Sequence, residues 1–170
     1  MSSGSTLLLA VLAVIIMCVA VSAAARRQGT VWNYYHFDGH AFAAGQPDDN
    51  SPFLAVRDRA VPVVLTRAAQ IEATPLPPDK GALAGICYIQ NSGGKLAGGP
   101  GYSPCPAIPL TISSGTTVVV HTETDRSGYF IALLSAGVYR ISSGAFAREV
   151  TVEVGKTTLG ALQTGKRMVD

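Results

Sequence analysis

Charge is scarce in this chain. Only 14% of its residues are charged and the formal net charge is +2. No stripe of Lys or Arg accompanies the aromatic residues, which argues against a nucleic-acid partner. Cysteines number three, with no Cys-x-x-Cys among them, and two thiols outside the apolar N-terminal run do not complete a zinc site. There is no Gly-x-Ser-x-Gly elbow and no His-Glu-x-x-His. Gly93-Gly94 and Gly98-Gly99 are not followed by the Gly-Lys-Ser/Thr that a phosphate loop needs. Asp48-Asp49 and Thr124-Asp125 read as turn residues before acid–base groups. These absences leave no expected catalytic residue and no expected cofactor. No internal repeat is evident.

Turn formers are plentiful, with 18 Gly and 10 Pro, as suits an all-β chain with many reversals. The most legible stretch is Thr122 to Arg140. Asp125-Arg-Ser-Gly128 has turn chemistry: Asp bonds a backbone N–H two residues on, and Gly takes a positive φ at no steric cost. Before it, Thr116–Thr124 is rich in β-branched residues. Its alternation puts Val118, Val120 and Thr122 on one face and Val119, His121 and Glu123 on the other. After it, Tyr129–Leu134 is apolar on both faces, so cover on both sides is expected. Gly137 makes the next turn with Ala136, and strands are expected at Val138–Ile141, at Phe146–Val154 with Val150, Val152 and Val154 on one face, and at Thr157–Leu162. Ala84–Gln90 should open the domain. A long Gly-rich loop, Asn91–Ser103, and an interrupted strand, Cys105–Ile112, follow it. Short strands at this spacing indicate a sandwich or barrel.

Thr124-Asp125-x-x-Gly128-x-Phe130 followed by Leu134-x-Ala136-Gly137-x-Tyr139 resembles the signature of carboxypeptidase-regulatory-like domains. Ser135 stands where that family usually has proline. The resemblance covers residues 82–163 and implies a transthyretin-like (prealbumin-like) β-sandwich. It implies structural roles for Asp125, Gly128 and Gly137, and it is nearly silent on function because such domains are appended to unrelated proteins.

Three regions are expected: 1–25, 26–78 and 79–170. Residues 7–25 are uncharged and almost wholly apolar. They read as a helical secretory signal cleaved after Ser22-x-Ala24 or Ala23-x-Ala25, or as a membrane anchor. Arg26-Arg27 behind the run also fits a reversed anchor with the domain inside the cell, but the Ala-rich end favours export. Any membrane contact is expected only through 7–25. Residues 26–78 form a shorter β-rich segment: an aromatic strand at Thr30–Phe37, a turn at Asp38-Gly39, a loop at 46–52, short strands at Phe53–Val56 and Ala60–Thr66, and a Pro-rich linker at Thr74–Asp79. Pro62 favours an edge position.

In an exported protein Cys87 and Cys105 are expected to pair in a disulfide. His36, Asp38 and His40 are a weak candidate metal-ligand set in a loop, with surface or hydrogen-bonded histidines as the plainer reading. Trp32, Tyr34, Tyr35 and Tyr102 are candidates for a sugar- or protein-binding face, with core packing as the plainer role for Trp32. The sequence as a whole points to a non-catalytic, exported structural or binding protein of a bacterial cell envelope. Its expected partner is protein or polysaccharide, met through sheet edges. The alternative is a small-ligand or metal-binding protein using His36 and His40.

Overall fold

The computed structural model describes residues 31–92 and 101–168, and Trp32–Asp170 forms one compact unit. The apolar run 7–25, Arg26-Arg27 and most of the Gly-rich loop lie outside the described residues. Among the described residues every regular element is a strand. They are β1 (Asn33–Phe37), β2 (Phe42–Ala44), β3 (Phe53–Val56), β4 (Val63–Leu65), β5 (Lys80–Ser92), β6 (Tyr102–Pro104), β7 (Pro109–Ser114), β8 (Thr117–Glu123), β9 (Tyr129–Ser135), β10 (Gly137–Ser143), β11 (Phe146–Val152) and β12 (Thr157–Met168).

The strands make three sheets. The first runs β2-β1-β3-β4, the second β12-β5-β6 with β9 also on β5, and the third β11-β10-β7-β8. β5 joins them. It is buried without a break from Gly81 to Tyr88, and its alternate residues feed two cores. Leu83 packs with Ile112, Phe130, Leu134, Ile141, Val152 and Leu162 between the second and third sheets. Ala84, Ile86 and Tyr88 pack with Phe37, Leu54 and Tyr129 between the first and second. The near-continuous apolar run Ala82–Ile86 is what a strand covered on both faces requires.

β12 pairs with β5 in parallel from Thr157↔Ala82 to Met168↔Ser92, with a register shift between Gln163 and Gly165. It is twice the length expected for the last strand. Its polar second half, Gln163–Met168, is exposed towards its end and carries no strand signal of its own; pairing with β5 supplies the order. The Pro-rich segment expected as a linker is bound in place. Leu76 N donates to Arg59 O (2.9 Å), Val61 N donates to Thr74 O (2.8 Å), and the Leu76 side chain is buried. β4 lies at the edge of the first sheet just after Pro62, as expected.

Three strand readings need correction. β9 is covered on both faces at Tyr129 and Phe130, but Leu133 further along it is 38% exposed. Val154 lies past the end of β11 and is half-exposed, unlike Val150 and Val152. A register shift pairs Ile112 with Val120 but Ser113 with Val118, leaving Val119 as the extra residue of a bulge. Val118 therefore leaves the core face, and both it and Val119 are about half-exposed.

Candidate functional site

The Asp125 turn is wired to both cysteines. Ser127 N (2.8 Å) and Tyr129 N (2.9 Å) donate to Asp125 Oδ1, and Asp125 N donates to Tyr129 O. Gly128 takes φ +79° and its carbonyl accepts from Cys87 N (2.9 Å). Cys87 O in turn accepts from Cys105 N (2.9 Å). Buried Thr124 closes the circuit: its hydroxyl donates to Cys105 O (2.6 Å) and accepts from Ile108 N (2.9 Å). A hydroxyl beside a carboxylate turn gives no sequence sign of spanning to residue 105, so this tie was not legible. Gly137 opens β10 one residue after β9 ends. Tyr139 then reaches back, its hydroxyl donating to Ser135 O (3.0 Å).

Cys87 and Cys105 stand side by side, as expected, but as free buried thiols. Both sulfurs turn to one hydroxyl. Cys105 Sγ lies 3.2 Å and Cys87 Sγ 3.8 Å from Thr164 Oγ1. Thr164 sits where the β12 register shifts, which is why sequence pattern did not reveal it. Burial, and secondarily the neighbouring Cys105, push the Cys87 thiol up to about 12. A thiol titrates lower when unfolded, near 9. The folded state therefore keeps a proton that the unfolded state releases above that pH, and stability contributed below it is lost as pH rises. Burial likewise raises the Tyr129 and Tyr102 hydroxyls. Under reducing conditions, denaturant midpoints are expected to hold up to about pH 9 and fall steadily above it. Thiol alkylation at pH 8 is expected only after unfolding. A midpoint flat to pH 11, or rapid native alkylation, would contradict this thiol environment.

Of the His36, Asp38 and His40 set, the side chains of Asp38 and His36 meet backbone groups. His40 N and Ala41 N both donate to Asp38 Oδ1 at 2.8 Å, and these bonds, with His40 and His36 nearby, hold the carboxyl below its usual range. His36 Nδ1 lies 3.1 Å from Gly45 O. Among the described residues no three His, Cys, Asp or Glu side chains are grouped to hold a metal ion.

The aromatic candidates divide the same way. Trp32, Tyr34 and Tyr35 are each half-buried, and Tyr34 meets Phe53 edge-on at 5.6 Å. Tyr102 packs against Phe37 (4.9 Å) and Tyr88 (6.2 Å), and its hydroxyl donates to Phe37 O (3.4 Å). It is part of the core between the first and second sheets rather than a freely presented ring. A shallow cavity of about 300 Å³ lies beside it, lined by Ser51, Pro52, Arg126, Ser127 and Tyr129 among others. The Tyr129 hydroxyl there is committed to Pro52 O (3.0 Å).

The feature left unsatisfied is an edge. β8 pairs only with β7 among the described residues, and five of its seven residues are exposed. Its chemistry is that of an unpaired strand: backbone donors and acceptors in line, flanked by Val118 and Val119.

No family model matches the chain, and no curated protein matches it. Among solved structures it is similar to GBS52, the minor pilin of the gram-positive pathogen Streptococcus agalactiae, at 16% identity and a TM-score of 0.38 over 76% of this chain. It spans 66% of that structure's length. At that score the likeness assigns this chain neither a fold nor a role.

Proposed function

We propose that this is an exported, non-catalytic β protein that binds protein or polysaccharide at a cell envelope, with sheet edges as its contact surface. Residues 82–163 are, in this reading, a carboxypeptidase-regulatory-like sandwich of the transthyretin-like kind. The observation that carries the binding role is the open edge of β8, whose backbone and flanking valines face solvent. The Asp38 carboxylate accepts from the backbone of its own turn. Export rests on the apolar run 7–25 and its small residues at Ala23 and Ala25.

The test is the intact mass of the chain from its native host, with fractionation of the cells. The expected result is a chain outside the cytoplasm, either lighter by about 2.5 kDa after leader removal or full-length in the membrane with its domain open to added protease. A full-length chain whose domain is shielded from protease in intact cells would overturn export. In an oxidising compartment Cys87 and Cys105 are the place where a disulfide would close, with both sulfurs turning away from Thr164. A loss of two hydrogens in that mass, reversed by reduction, would report it.

A further inference from the structure

We propose that β8 is the site at which two copies of this chain join, edge to edge and antiparallel about Thr122. This deepens the binding role proposed above and rests on it.

The other edges are blunted, and β12, the outer strand of the second sheet, carries Lys166 and Arg167 along its exposed end. β2, β4 and β6 are three residues each, and β6 ends on Pro104. β11 is tied to β12 by side chains: Arg148 Nη1 donates to Ala161 O (2.9 Å) and Thr158 Oγ1 donates to Thr151 O (2.7 Å). On β9, Tyr129 N and O are both taken by Asp125, Ser135 O accepts from Tyr139, and most of the side chains are buried. β8 has no such stopper along Val120–Glu123.

The direction of its backbone follows from its neighbours. Thr124 N donates to Ile108 O and Thr124 O accepts from Ala107 N, so Thr124 faces the β7 side. Alternation then turns the backbone of Thr122 and Val120 the same way and presents the N–H and C=O of His121 and Glu123 outward. The bulge at Val119 ends the straight part of the edge.

A second copy fits this edge because the pattern is self-complementary. A two-fold axis at Thr122 sets His121 opposite Glu123 of the second copy, and Glu123 opposite its His121. The same residues meet in both directions, as an isologous contact demands. No like charges face each other, and Val120 falls opposite Thr124. His121 Nδ1 lies 3.3 Å from Thr111 Oγ1, which leaves Nε2 for the facing carboxylate. A hydrogen-bond donor directly across from a carboxylate stabilises an antiparallel pair, and like charges do the reverse. The joined third sheets become one eight-stranded sheet.

The experiment uses the full chain in zwitterionic detergent. Across the proposed axis the two Thr122 Cα atoms lie about 4.5 Å apart, within disulfide reach. Thr122→Cys under mild oxidation is expected to give a covalent dimer well above the wild-type chain's background, and Val119→Cys is not. In sedimentation, Glu123→Lys is expected to weaken the dimer about fivefold. The swap His121→Glu with Glu123→His is expected to restore it, which keeps the test open should Thr122→Cys fail to fold. A wild-type chain that stays monomeric would overturn the proposal, as would equal association of all these variants, which would point to residues 7–25. Neither result touches export, which the mass and fractionation decide separately.

Discussion

Gly85→Ala is expected to leave the chain unable to hold its fold, with a loss of roughly 4 kcal/mol or more out of the 5–15 that such a domain has. Gly85 pairs with Gly160 where β5 and β12 run parallel. A Cβ built on Gly85 would sit 2.0 Å from Gly160 O and 2.6 Å from Phe130 Cζ. The first contact is backbone and cannot rotate away. Relief means parting β12 from β5 or driving Phe130 out of the core between the second and third sheets, and either breaks the joint between layers. Gly160 makes the contrast. A Cβ there meets only side-chain carbons at 3.4–3.5 Å, those of Ile141, Leu83 and Val150, so Gly160→Ala is expected to cost far less. Denaturant unfolding of the two variants side by side measures the difference, and similar midpoints would contradict the packing at Gly85.

Gly128→Ala is expected to cost about 3 kcal/mol, from left-handed strain plus crowding. The residue sits at φ +79°, and an added Cβ would lie 2.9 Å from Cys87 O, 2.9 Å from Pro104 Cβ and 3.0 Å from Cys105 N. Strain at a turn alone costs less. Here the same methyl also presses on the Cys87–Cys105 backbone bond, so the variant is expected to expose both thiols to alkylation as well as lower the denaturant midpoint. A stability loss with the thiols still protected would mean that the turn and the cysteine pair are separate features.

How far residues alone led depends on how local each interaction is. β8 to β11 were readable because local turn residues mark where they begin and end, Asp125 and Gly128 ahead of β9 and Gly137 ahead of β10, although β9 pairs with distant β5 rather than with its chain neighbours. β12 was half-read: its parallel partner β5 lies more than seventy residues away (Thr157 opposite Ala82), and nothing in Gln163–Met168 announces that partner. The burial of Gly81–Tyr88 on both faces likewise depends on a first sheet whose strands are three to five residues long. Several site candidates share one feature. Asp38, Tyr102 and the cysteines are chemically versatile side chains, but backbone N–H groups, a carbonyl and the Thr164 hydroxyl claim them. The β8 edge drew little notice as a sequence because its bulge hides two exposed valines inside an apparently regular alternation.

β5 as the strand packed on both faces, against the first sheet on one and the third on the other, is the claim on which the rest stands, and amide hydrogen exchange tests it directly. The amides of Ala82 to Tyr88 are expected to exchange only through global unfolding, slower than those of β2 and β4. Exchange of Ala82–Tyr88 as fast as those edges would contradict the three-layer arrangement.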